Sequence, residues 1–411
     1  MLNYLGVVWN GGLSLLLVPI YLRLMGPDQW GVLAVCMTLQ SLLGIMDAGI
    51  GQLMPRDIAL RDPAHTYAVY SRAYLYVGAT VFVLGQVTCG WWVPRWFTMS
   101  GRLADFPELA VRIVLVQFAF QFVNNATTGF WNGSQAQRTA NVRQIIFTTL
   151  KHLCALTVLL CYRVDVVGYL AAFAVVAAAE CLLNHRRVRR ETHRSGDQRV
   201  TFSEVVQLYR EAGVLVFGVV LGMLAAQIDR ITLSRSVELR DFGYYAIAAS
   251  LGLAAMQLQY PIMRAYLPRL VHAEIGFRDP NYRALAKAVF LFCVIPCIVA
   301  IVLAPVLLKV WLNNSVAENS ILLPFRLILA GIIMNSLYNI FYQQMLILSA
   351  GRYIVFVNAV CVAVAYLVIA ACVGHLGIVS GGMAWVASSA AQLALGVAWF
   401  RGQVRRSSSV A

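Results

Sequence analysis

The 411-residue chain is 60% hydrophobic and 12% charged, against roughly 25% charged in ordinary soluble domains, which excludes a soluble globular class. Its net charge of +14 comes from 29 Arg and three Lys set against 18 acids. In so apolar a chain that surplus is read first as an orientation signal, not as nucleic-acid recognition, because no aromatic interleaving or binding module accompanies it.

Apolar stretches of about 20 residues, each able to cross a hydrocarbon core about 30 Å thick, recur along the whole length. They predict an all-α polytopic membrane protein, since a β-barrel would show short alternating segments instead. Twelve transmembrane spans are expected, near 3–22, 31–51, 73–93, 110–130, 145–162, 165–183, 212–233, 242–262, 285–308, 320–347, 353–373 and 377–400. The turn at 162–165 is very tight. The first span has neither a basic leader nor a small-residue cleavage site, so a cleaved signal peptide is not expected and an upstream start stays open. With the N-terminus inside, the cytoplasmic segments hold 21 basic residues and the outer ones nine, while Lys151 and Arg326 fall within spans. This bias predicts both termini in the cytoplasm.

The longest polar segment, 184–211, carries seven Arg and divides the chain. The expected organisation is an N-terminal six-helix lobe at 1–183 and a basic cytoplasmic linker at 184–211. A C-terminal six-helix lobe at 212–400 and a tail at 401–411 follow. The linker reads as an anchor on anionic membrane lipids, with a short interfacial helix from Thr201.

The two halves echo each other. "YLRLMGPDQWGVLAVCMTL" (21–39) and "LSRSVELRDFGYYAIAASL" (233–251) align at an offset of 212, pairing Arg23 with Arg235 and Trp30-Gly31 with Phe242-Gly243. "FQFVNN" (120–125) and "MNSLYN" (334–339) align at 214, pairing Gln121 and Asn125 with Asn335 and Asn339. Six helices per half is an even number, so the halves are expected to be parallel repeats about an axis along the membrane normal.

The nine Cys lie in or beside apolar runs without a metal-ligand pattern, so free thiols are expected, with no zinc site and no cofactor. Gly-rich phosphate loops and HExxH are absent from the sequence.

Several stretches resemble bacterial polysaccharide flippases of the MATE-like superfamily. The opening "VPIYLRLMGPDQWGVLAVCMTLQSLLGIMDAGIGQLMPRDIA" is similar in Pro19, the Met25-Gly26 turn, Trp30-Gly31, Asp47-Ala48-Gly49 and Arg56. "QIDRITLSRSVELRDFGYYAIAASL" is similar to the second-half signature, through Asp229-Arg230 and Gly243-Tyr244-Tyr245. "NGSQAQRTANVRQ" and "LSAGRYIVFVNAV" resemble the loops after helices four and ten. The resemblance implies a MATE-like fold of two lobes flanking a V-shaped cavity. It also implies flipping of polyprenyl-pyrophosphate-linked oligosaccharide for surface polysaccharide biosynthesis, by alternating access, in the bacterial inner membrane. The implied partner is that lipid-linked cargo, extending to polysaccharide polymerase machinery, and a monomer is expected.

Such a cargo needs a polar path with cations for the pyrophosphate, for which Arg is suited. Arg326, roughly 9 Å into its span at 1.5 Å per residue, is the leading pyrophosphate candidate. Arg56 and Arg264 follow at cytoplasmic helix ends, where interfacial anchoring is an equal alternative. Gln121, Asn125, Asn335 and Asn339, with Tyr338 nearby, are candidate cavity groups for sugar, or helix-to-helix glue. Asp47 and Asp229 are the ion-coupling candidates, although Asp47 also reads as a helix-breaking contact. Glu180 reads as a surface pair with Arg186. A cation or drug antiporter of the same fold is the alternative, disfavoured because intramembrane acids are few. A membrane polysaccharide polymerase or ligase is the other, disfavoured because the outer loops are short and lack a catalytic constellation, so no enzymatic role is expected.

Overall fold

A computed structural model describes residues 2–47, 50–96, 106–162, 164–192, 200–271, 273, 275–313 and 315–408. The described chain is helical, in the order α1 (Leu2–Met25), α2 (Pro27–Gly44, then a tight turn Ile45–Asp47), α3 (Ile50–Leu60), α4 (Pro63–Trp96), α5 (Phe106–Gly133), α6 (Gln137–Cys161), α7 (Val166–Thr192) and α8 (Phe202–Ala225). It continues with α9 (Ile228–Ser236), α10 (Leu239–Met256), α11 (Gln259–Leu270), α12 (Pro280–Val289, then a wide turn Phe290–Val294), α13 (Ile295–Leu312), α14 (Ser315–Ile347), α15 (Gly351–Leu376) and α16 (Val379–Ser408).

Local chemistry sets the ends. Pro27, Pro63 and Pro280 open their helices, where the missing N–H costs nothing and φ is already helical. Asp62 accepts from the backbone N–H of His65 at 3.1 Å, Asp165 from that of Gly168 at 2.7 Å, and Asp279 from that of Asn281 at 2.7 Å. Each satisfies a donor that the first helical turn leaves open.

Among the described residues, ten helices are long and apolar enough to cross a membrane, and Gly11–Met25 adds a shorter apolar stretch. Exposure supports the same placement. On α13 the outward residues Val302, Val306 and Val310 are 65%, 61% and 79% exposed, while Ala304 and Leu308 are buried. A helix apolar on all sides belongs in lipid. The chain is therefore an all-α, multi-pass membrane protein.

The twelve expected spans each coincide with helix, but three of them are interrupted and a fourth, 285–308, passes through the wide turn Phe290–Val294. Span 31–51 breaks after α2, span 212–233 between α8 and α9, and span 242–262 between α10 and α11. The segment 184–211, expected as a linker, is mostly the end of α7 and the start of α8.

The chain forms two compact units, Met1–Val220 and Leu221–Ala411. Their internal plans correspond. In the first, α5 packs on α4, α7 and α2, α6 on α7, and α1 on α6. In the second, α14 packs on α13, α16 and α10, α15 on α16, and α9 on α15. Helix starts repeat with offsets of 212 to 214: Pro27 and Leu239, Gln137 and Gly351, Val166 and Val379.

Candidate functional site: two polar clusters at broken helices

Each unit builds its own polar cluster where its second transmembrane helix breaks. In the first unit the break follows α2, and Asp47 is its last described residue before α3. Asp47 accepts hydrogen bonds from Asn125 Nδ2 on α5, at 2.9 Å, and from the Tyr74 hydroxyl on α4. The approach is close: a Cβ on Gly51 would lie 2.8 Å from the Asp47 carboxylate. Only a glycine leaves room there without moving the acid.

In the second unit the break lies between α10 and α11, and Gln259 opens α11. Asn339 Nδ2 on α14 donates to Gln259 Oε1 at 2.5 Å. Gln259 stands 212 residues after Asp47, and Asn339 stands 214 after Asn125. The two units thus repeat one contact, amide to acceptor, with a carboxylate in the first and a neutral amide in the second.

Around Gln259 the second unit forms a partly open cavity of about 260 Å³, lined by residues of α8, α9, α10, α11, α14, α15 and α16. Asn335 Nδ2 donates to Gln392 Oε1 at 2.9 Å, and Asn339 Nδ2 also lies 3.3 Å from Asn335 Oδ1. Asn358, Ser388 and Ser389 add further polar groups to the wall. Asp229, 4% exposed, sits at the start of α9 just after the break from α8. Its Oδ2 accepts from Trp385 Nε1 at 2.9 Å and from the Tyr245 hydroxyl. Its Oδ1 is buried without a hydrogen-bond partner among the described residues. A buried carboxylate oxygen left open in a polar cavity suits a proton or a small cation. Gly381 on α16 makes this arrangement possible, because a Cβ there would meet the Tyr245 ring at 2.5 Å.

The other candidates are placed differently. Arg326 is half-buried, and its Nε donates to the Ile301 carbonyl on α13 at 3.0 Å. Pro305 lies four residues after Ile301 inside the same helix. Having no N–H, it leaves that carbonyl without its helical donor. Arg326 therefore mends a proline break, and it does not line the 260 Å³ cavity. In this structure, then, the guanidinium is engaged on α13, outside the polar cluster of Gln259 and Asp229. Tyr338 is also placed elsewhere: it is 2% exposed within an apolar cluster, with its hydroxyl 3.8 Å from Met345 sulfur. Gln121 and Arg56 are exposed and join no hydrogen bond of the Asp47 cluster among the described residues. Arg264 falls on α11, and its side chain lies outside the described residues.

Glu180 is not a surface partner of Arg186. It is paired with Lys151 at 2.7 Å, with both side chains largely buried, and accepts from Asn124 Nδ2 at 3.3 Å. Asn184 Nδ2 donates to Asn124 Oδ1 at 2.9 Å, and Arg143 Nε in turn donates to Asn184 Oδ1. Sequence reasoning missed Gln259, Gln392, Asn358 and Tyr74. The 212-residue offset, applied to Asp47, points directly to Gln259; Tyr74 carries no comparable signal.

A family model described as "Polysaccharide biosynthesis protein" matches residues 1–274. The chain belongs to this family. A Shigella flexneri protein named as an O-antigen transporter is 21% identical over 326 residues, covering 77% of this chain and 76% of that one. Two solved structures share the fold over 98% of the chain. A lipid II flippase MurJ, in an inward closed conformation, has a TM-score of 0.76 at 10% identity, with 86% of it covered. An inward-facing multidrug resistance MATE family transporter of the MOP superfamily has a TM-score of 0.67 at 15% identity, with 94% covered. At these identities the structures establish a MATE-like fold, and the family places the chain in polysaccharide biosynthesis.

Proposed function

We propose that the chain moves a polyprenyl-pyrophosphate-linked oligosaccharide from the cytoplasmic to the outer leaflet of the bacterial inner membrane by alternating access. Both termini are cytoplasmic in this reading, in keeping with the bias of basic residues. The observation that carries it is the repeated amide contact at the broken second helix of each unit, Asn125 with Asp47 and Asn339 with Gln259. Irregular backbone at membrane depth is tolerated where protein or a wet cavity satisfies it. Amide-rich walls offer sugar hydroxyls both donors and acceptors.

In this reading Asn125, Asn335 and Asn339 face glycan, with Gln121 on the same stripe. Arg56 and Arg264 contact the pyrophosphate as it loads. Asp229, and secondarily Asp47, exchange the coupling ion. The partners are the lipid-linked cargo and, downstream, the machinery that polymerises it. Arg326, held by the Ile301 carbonyl in this structure, would reach the pyrophosphate only after leaving that contact.

The test is deletion of the gene followed by complementation. Lipid-linked oligosaccharide should accumulate on the cytoplasmic leaflet, and Asn339→Leu or Asp229→Asn should restore export poorly although the protein reaches the membrane. A second reading, export of small cations, is favoured by the open oxygen of Asp229 in its polar cavity. It gains if the deletion leaves surface polysaccharide normal and changes tolerance to cationic compounds.

A further inference from the structure

The first unit holds another cavity, of about 660 Å³, between α4, α5 and α7, which the transport reading leaves unused. Its walls are apolar, from Leu75 and Phe82 on α4 through Val116, Phe120 and Val123 on α5 to Leu182 on α7. One end is basic: Arg72 from α4 meets His185, Arg186 and Arg189 from α7. Leu75 and Leu182 on its rim are 51% and 55% exposed, so the groove opens sideways on the apolar outer surface of the unit.

Two features separate this groove from a general basic belt. The first is the lack of counter-charges. Arg187 on the same helix is paired with Glu191 at 3.0 Å. Among the described residues no carboxylate pairs with Arg72, Arg186 or Arg189, and Arg72 reaches only the Val200 carbonyl. The second is depth. The groove follows α4 from Ser71 to Phe82, about 16 Å at 1.5 Å per residue, which is about half of a 30 Å hydrocarbon core. It is a slot one leaflet deep with a cationic mouth.

We propose that this groove holds one anionic phospholipid of the adjoining leaflet. The phosphate lies on Arg72, Arg186 and Arg189. One acyl chain runs along Phe82, Val116 and Phe120. The guanidinium groups supply charge-assisted hydrogen bonds, and the walls cover the chain. A long polyprenyl chain would overrun a slot of one-leaflet depth, so the occupant is a structural lipid and not the cargo.

Native mass spectrometry of the full chain, exchanged into mixed phosphatidylglycerol and phosphatidylcholine, tests this. One phosphatidylglycerol per chain should survive dilution of the lipid. Arg186→Gln/Arg189→Gln should weaken its retention about twenty-five-fold, at roughly a factor of five per lost guanidinium. Arg187→Gln/Arg190→Gln removes the same charge outside the groove and should leave retention unchanged. Ala119→Trp fills the slot while keeping every charge and should abolish retention, and Val116→Phe supplies the same block should that variant misfold. A phosphatidylglycerol with a photoreactive acyl chain should label Phe82, Val116 or Phe120. Equal loss in the two double-Arg variants, or full retention in the slot-filled variants, would overturn the proposal. So would labelling elsewhere, or tighter binding of polyprenyl phosphate than of phosphatidylglycerol.

Discussion

The pairing of Arg326 with the carbonyl left open by Pro305 can be measured as a coupling energy. Arg326→Met removes the donor and leaves the Ile301 carbonyl, 3.0 Å from Arg326 Nε, without a partner in an apolar setting. An unsatisfied buried group costs about 1–3 kcal/mol, and bonds to charged donors lie at the upper end, so about 2 kcal/mol is expected. In a Pro305→Ala background the alanine N–H takes the Ile301 carbonyl in the ordinary helical way, and the same Arg326→Met change should then cost less than half as much. The resulting coupling, about 1–2 kcal/mol, is in the range that double-mutant cycles resolve between contacting groups. Unfolding by a denaturing detergent, followed in bicelles for the four proteins of the cycle, is the assay. Equal penalties in the two backgrounds would refute the pairing. Export lost through Arg326→Met in both backgrounds, at undiminished stability, would instead return this arginine to the cargo path.

Three further outcomes follow from the same geometry. Lys151→Met strands the buried Glu180 carboxylate, 2.7 Å from Lys151 Nζ, and should cost about 3–5 kcal/mol, most of which Lys151→Met/Glu180→Met should recover. The unfolding midpoints of these two variants and the wild type check this. Gly381→Ala would put a methyl 2.5 Å from the Tyr245 ring and 2.6 Å from Leu233, costing about 1–3 kcal/mol of stability by overpacking. Gly402→Ala, with nothing within 4 Å, should be neutral by the same melting assay. Glu204 accepts from the Thr201 backbone N–H and hydroxyl, and then from His65, which together hold its carboxyl down to about 2. Its pKa is lower folded than unfolded, so its contribution is present above the ordinary carboxylate range and lost as pH falls toward 2. The stability gap between wild type and Glu204→Gln should therefore be widest near neutrality and close by about pH 2.

The fold was legible because lipid imposes a simple rule. Runs of about 20 apolar residues can hardly be anything but spans, and all twelve expected runs are helix. The repeat was legible because a Trp-Gly or Phe-Gly pair opens the same helix in each half. The helix breaks were not. "AAQIDR" carries no proline, and hydropathy averaged over a span does not register the two residues, Ala226 and Gln227, that leave the helix. The contact Arg326 makes was not legible, because depth along a helix says nothing of direction around it. What decided its direction was Pro305, 21 positions earlier on a neighbouring helix. Tyr338 neighbours Asn335 and Asn339 in sequence, yet its ring turns to the flank of α14 and packs against Gly396 instead of lining the cavity. The Lys151–Glu180 pair spans 29 residues and two helices, so neighbouring charge in the sequence pointed Glu180 toward Arg186 instead.

The comparison of the two units gives the polar clusters a common cause. A helix that breaks inside a membrane frees backbone groups that lipid cannot satisfy, and the break survives only beside protein polar groups. In both units the fourth transmembrane helix supplies one asparagine to the residue at the break of the second. The scaffold requirement is thus met twice with the same amide, Asn125 and Asn339. What differs is the acceptor: Asp47 in one unit and Gln259 in the other. A neutral Gln259 would have hydrogen-bonded equally well in the first unit, so the repeat geometry alone does not call for a charge at Asp47. The second unit carries its buried carboxylate elsewhere, on Asp229 at the break of its first helix, where one oxygen is left open. Charge in each unit is therefore separable from the fold's own needs. Asp47→Asn should keep the contact with Asn125 and the stability it brings, while changing whatever in the cycle depends on a negative charge.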